Sequence, residues 1–175
     1  RYGQPFVITH NRAIQELVPH YVIPDKRRWI TETLLSVRPM WGLAYTKVLL
    51  GDVIYSDEAI ERVLGNTSPL AMFGRKWEIF ALSFSHRVWP KIDKALKVAI
   101  ADAQQGGRGK LWEFYRAYCH IPLSDVHTLD DKIFQFVTDY TDDLDTIAEY
   151  HEFLQANPWA GVMSKSDIIR EYGAI

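Results

Sequence analysis

Proline and glycine cut this 175-residue chain into short segments, and that punctuation limits what it can build. Pro5, Pro19, Pro24, Pro39, Pro69, Pro90, Pro122 and Pro158, with Gly51, Gly65 and the run Gly106-Gly107-Arg108-Gly109, divide it into stretches of unequal length. Apolar residues inside those stretches recur at helical spacing, and period-two alternation is almost absent. The expected fold class is therefore all-α: a single compact domain of about eight short helices packed as antiparallel helical hairpins, with an irregular N-terminal arm.

The boundaries follow from capping chemistry. Residues 1–24 form the arm, with a short helix at Arg12–Leu17 after Asn11, and His20–Pro24 extended because residues before proline avoid the helical region. The helical domain then occupies residues 25–175. Asp25 caps Lys26–Val37. Pro39 opens Met40–Leu50, which Gly51 ends, and Ser56 caps a helix through Leu64 that closes at Gly65. Ser68-Pro69 starts an apolar helix from Leu70 to Arg87, and Pro90 opens Lys91–Gln105. Gly106–Gly109 is a hinge and a point of sub-division. Leu111–Cys119, Leu129–Tyr140, Asp143–Gln155 and Asp167–Tyr172 complete the set.

Charge is segregated along the chain. Residues 1–110 carry 16 Lys+Arg against 10 Asp+Glu, whereas residues 111–175 carry 4 against 12, so the overall −2 hides a dipolar molecule. Asp142, Asp145, Glu149 and Glu152 are spaced by three, four and three residues, which on one continuous helix makes an acidic row. Arg87, Lys91 and Lys94 are the matching basic group, with Trp89 among them. These eight residues are the candidate protein-binding set. Segregated charge steers association and sets its register. Six Trp, nine Tyr and eight Phe can fill a core or anchor an interface.

Several chemistries lack their residues. Cys119 is the single cysteine, so an intrachain disulfide and a four-cysteine zinc site are excluded, and a reducing intracellular compartment is favoured. Met40–Leu50 and Ile79–Ser85 are too short to cross a bilayer, which takes about 20 apolar residues. Gln104 and Leu111 stand where a phosphate-binding loop needs Gly and Ser or Thr. A calcium loop starting at Asp139 fails at Leu144 and Tyr150, and Glu149, His151 and Glu152 lack di-iron spacing. No metal, cofactor or catalytic residue is assigned.

The expected function is a non-catalytic helical accessory subunit that contacts other protein subunits in a larger assembly. Arg1 in place of an initiator Met suits a processed mitochondrial chain or a trimmed viral domain. Two alternatives stand beside it. One is a nucleic-acid module using the basic region 75–97, although the pI of about 6.3 is low for one. The other is an enzyme with a helical active site built from His127, Asp130 and Asp131.

Overall fold

The computed structural model describes residues 5–125, 128–144 and 146–157. They form a mixed α/β structure, with six α-helices, two 3-10 turns and eight strands in three sheets. The all-α expectation is overturned. The described chain divides into two compact units, one of residues 5–23 and 143–157 and the other Pro24–Asp142. The larger unit runs through Gly106–Gly109 without dividing there.

The smaller unit holds β1 (Val7–Ile8), α1 (Arg12–Gln15), β2 (Tyr21–Val22) and, near the C-terminus, α6 (Ile147–Ala156). The Asn11 side chain accepts the Ala13 N–H to start α1, and β1 pairs in parallel with β2. The arm is therefore partly regular. The expected helix at Asp167–Tyr172 lies outside the described residues.

The larger unit is built on a four-stranded sheet. Its strands are β3 (Tyr45–Leu49), β5 (Leu70–Gly74), β6 (Ile79–Ser85) and β7 (Phe134–Phe136), in the order β3-β6-β5-β7. β6 is antiparallel to both neighbours, and β7 runs parallel to β5. Two of the misassigned helices become strands here. Leu70–Arg87 is in fact the hairpin β5–β6, and Met40–Leu50 contains β3. A continuous apolar run fits a buried strand as well as a buried helix. The charged turn Arg75–Glu78 decides between them, because its backbone closes on itself through Arg75 N–H to the Glu78 carbonyl, 2.9 Å. Gly74 is required at this corner, since a Cβ there would sit 2.0 Å from the Glu78 carbonyl oxygen. The expected helix Leu129–Tyr140 is a turn followed by β7. A further ladder joins β4 (Val53–Ile54) and β8 (Asp142–Asp143).

Helices cover both faces of the sheet. On one face α2 (Ile30–Ser36), α4 (Trp89–Gln104) and α5 (Leu111–Cys119) pack over Leu70, Met72, Leu82, Phe84 and Phe134. On the other, Ala59 and Val63 of α3 (Asp57–Gly65) meet Ala71, Phe73 and Ala81. Alternate strand residues point to opposite faces, so both sets are buried. Half of the described aromatics are buried. Trp112 stacks on Phe134 with centroids 5.5 Å apart, and Trp41 meets Phe84 and Trp89 edge to face. The α4–α5 hairpin is the one expected helical hairpin that forms. Its glycine loop is anchored: the buried Thr31 hydroxyl donates to the Gly109 carbonyl at 2.9 Å. A Cβ at Gly109, whose φ is +64°, would strike the Trp29 ring.

Two polar knots hold connections to this frame. Glu113, buried at the start of α5, accepts from Arg108 (2.6 Å) and Arg116 (3.1 Å) through one oxygen and from the Lys110 N–H (3.0 Å) through the other. Ser56 caps α3 by accepting the Ala59 N–H, as its position in the sequence predicts, and its hydroxyl donates to Asp139 at 2.7 Å. Thr141 supplies the rest, its N–H bonding Asp139 and its hydroxyl accepting the Ser56 N–H.

Glu113→Ala should destabilise the chain by about 3–5 kcal/mol in denaturant melts, because Arg116 would be left buried without its partner. Arg108→Ala, at an exposed guanidinium, should cost only about 0–1 kcal/mol. Burial pushes the Asp139 carboxyl up, but the bonds from Thr141 and Ser56 and the charge of Arg62 outweigh it and hold it below the usual range. Its contribution is therefore complete above the unfolded carboxyl value of about 3.9 and is lost as pH falls through the folded value. The stability gap between the native chain and Asp139→Asn should be widest at neutral pH and close in acid, as read by melts across a pH series.

Candidate functional site

Helix α4 supplies the first wall of an open concavity. Pro90 stands in its first turn, where a missing N–H costs nothing. Ile92, Leu96, Ala99 and Ala103 face the sheet, which leaves Lys91, Lys94 and Val98 on the outer side. The second wall comes from the end of α5. His120 stops that helix in the left-handed conformation, with φ 59° and ψ 34°. The Ile121 N–H then returns to the Arg116 carbonyl at 2.9 Å, and Pro122 prevents any continuation. The chain turns outward and leaves a cavity of about 480 Å³ against α4.

Lys91, Lys94 and His120 stand around this groove, and Ala95, Val98, Ala117, Ile121 and Leu123 line its apolar part. The Lys91 ammonium lies 4.0 Å from the centroid of the Tyr118 ring. Neither lysine is in a salt bridge among the described residues, whereas nearby Lys97 is held by Asp93 at 2.6 Å, and Asp93 also binds Arg38. An apolar trough with a cationic edge suits a ligand that is apolar on one side and anionic on the other.

The fold treats the eight candidate binding residues unequally. Lys91 and Lys94 come together on the groove. Arg87 lies exposed in the 3-10 turn His86–Val88, apart from the lining. Trp89 turns inward against Trp41, and its buried indole N–H has no hydrogen-bond partner among the described residues. Trp89 therefore offers no exposed ring beside these lysines, whereas Trp77 of the same basic region is exposed, with the Lys76 ammonium 5.0 Å from its ring centroid.

The acidic row is broken at its first residue, because Asp142 lies in strand β8 and binds Arg75 at 3.1 Å. Its carboxylate is close to that of Glu78, with the arginine supplying the local positive charge. Asp145 lies outside the described residues. Glu149 is spent on the start of α6, where its carboxylate takes the Thr146 N–H at 2.7 Å. Glu152 is exposed on that helix.

Of the residues weighed for catalysis, Asp130 and Asp131 are described, both in exposed positions. His127 lies outside the described residues. Asp130 accepts the Lys132 N–H in a local turn. Burial pushes the Cys119 thiol up, and Asp130 adds to this against the opposing effects of Tyr115 and Lys91. The Tyr115 hydroxyl is itself pushed up to about 12, chiefly by burial, and it accepts the Asp130 N–H at 2.6 Å. His120 and the apolar residues 121–123 were missed from the sequence. Their signal is the helix stop before Pro122, but its meeting with α4 is tertiary.

No protein-family model matches the chain, and neither the curated proteins nor the solved structures contain a match to it.

A left-handed non-glycine residue costs roughly 1–2 kcal/mol. His120→Gly should therefore raise stability, by about 1 kcal/mol once the extra freedom of the unfolded glycine is counted. A shift of the denaturation midpoint to higher urea at unchanged slope would register it.

Proposed function

We propose that this chain is a non-catalytic protein-contact module, a subunit that docks acidic, amphipathic segments of partner proteins in the groove between α4 and the end of α5. The observation that carries this reading is the pairing of Lys91 and Lys94, neither in a salt bridge among the described residues, with an apolar trough of about 480 Å³. An amphipathic helix or turn would lay its apolar side on Val98, Ala117 and Ile121 and direct its carboxylates to the lysines and His120. Apolar contact would supply most of the affinity. The lysines would supply orientation and a fast encounter. Membership of a larger assembly is part of the same proposal, since such a groove works only with a partner.

The probe is a labelled peptide of residues 141–157, which is acidic and carries Tyr150, Phe153 and Leu154. It should bind the full chain at low ionic strength and weaken as salt screens the charges. Lys91→Glu with Lys94→Glu should cut the affinity about tenfold or more, equivalent to about 1.4 kcal/mol. Absence of binding at low salt, or binding indifferent to the charge reversal, would remove the proposal.

A further inference from the structure

The two edges of the main sheet are finished differently. At β7 the chain closes its own edge. Ile133 and Val137 turn their backbone groups toward β5, which leaves the backbone groups of Phe134 and Phe136 directed to the open side. The Phe134 N–H then bonds the Asp130 carbonyl at 2.7 Å, and Arg62 donates to the Phe136 carbonyl at 3.0 Å. That edge offers little to another strand.

The β3 edge has no such closure. The Ala44 carbonyl accepts from His86 and the Leu50 N–H donates to Phe80, so the regular register with β6 turns residues 44, 46, 48 and 50 inward. Tyr45, Lys47 and Leu49 therefore direct their backbone groups outward, and no strand of the described residues lies on that side. Gly42 folds over the Tyr45 carbonyl, with a Cβ there falling 2.5 Å from that oxygen, so the open stretch is Lys47–Leu49. Natural edges are usually blunted by proline, by a bulge or by an outward lysine. β3 has no proline, and its pairing with β6 has no register shift. Its lysine is diverted inward, where the Lys47 ammonium bonds Ser83 Oγ at 2.7 Å and the Asn66 carbonyl. Leu49 and Tyr45 are each 38% exposed beside it.

We infer that β3 pairs antiparallel with β3 of a second copy of this chain, about a two-fold axis at Val48. This register is self-complementary. Lys47 and Leu49 of each copy exchange backbone hydrogen bonds with Leu49 and Lys47 of the other, four in all, and the two Val48 side chains meet across the axis on the face that packs toward the core. Tyr45 falls opposite Gly51, which has no side chain to obstruct it. A register centred on Lys47 would set like charges opposite each other, and one centred on Thr46 would need the covered Tyr45 carbonyl. The result is one eight-stranded sheet closed by a two-fold axis. This surface is separate from the α4–α5 groove, so its fate does not decide that of the docking proposal.

Disulfide trapping reads the register directly. In a Cys119→Ser background, Val48→Cys places two thiols at a non-hydrogen-bonded pair about 4.5 Å apart between Cα atoms, within disulfide range. It should cross-link to a dimer on mild oxidation, whereas Lys47→Cys, which faces Leu49, should not. Sedimentation of the native chain should show a concentration-dependent dimer, and Leu49→Lys should weaken it about tenfold or more. A native chain that stays monomeric across the concentration range would overturn the inference. So would Lys47→Cys cross-linking in place of Val48→Cys.

Discussion

Burial of the β5–β6 hairpin on both faces is the constraint to which the rest of the larger unit answers. Every residue of both strands is buried. Such strands need apolar cover above and below, and each fully buried Leu, Phe or Met contributes about 1.5–3 kcal/mol. The α2–α4–α5 layer supplies the heavier cover, with Trp112, Tyr115 and Phe114 among its side chains. The α3 side meets the small residues Ala71 and Ala81 with small residues of its own, Ala59 and Val63. Phe73 and Phe80 complete the buried set on that side.

Polar side chains then secure the connections that apolar packing leaves loose. Glu113 fastens the glycine loop to α5, and Asp139 with Ser56 fastens the segment after β7 to the start of α3. In both, the central carboxylate is held by partners from more than one direction. They explain why acidic residues in the second half of the chain are not all available to partners. Asp139, Asp142 and Glu149 are each engaged locally. The basic residues are divided in the same way, with Arg38, Arg75 and Lys97 paired while Lys91 and Lys94 border the groove.

How much was legible in the sequence can be judged from single elements. Capping chemistry located α3, α4 and α5 well, because Ser56, Pro90 and Gly106–Gly109 act through local geometry that tertiary contacts do not alter. It failed at Ser68-Pro69, where an equally good start signal precedes a strand. The apolar run behind it had no periodicity to separate a buried strand from a buried helix, and the charged turn Arg75–Glu78 was passed over as part of a helix. In the candidate set, Lys91 and Lys94 kept their expected helical relation. The acidic row did not, because Asp142 joins a ladder before α6 begins.

The sequence by itself determined the Ser56 cap of α3, the Pro90 start of α4 and the glycine break between α4 and α5, the segregation of charge, and the absence of cysteine pairs and of long apolar spans. Each depends on residue identity or on neighbours a few positions away. It did not determine the starts of α2 and α6, which fall after Trp29 and Thr146 rather than at Asp25 and Asp143. Tertiary structure alone decided that two apolar runs would be strands, that Trp89 would turn inward, and that residues 120–123 would meet Lys91 and Lys94. Those outcomes rest on contacts between distant parts of the chain, where removing apolar surface from water outweighs the local preference of any one segment.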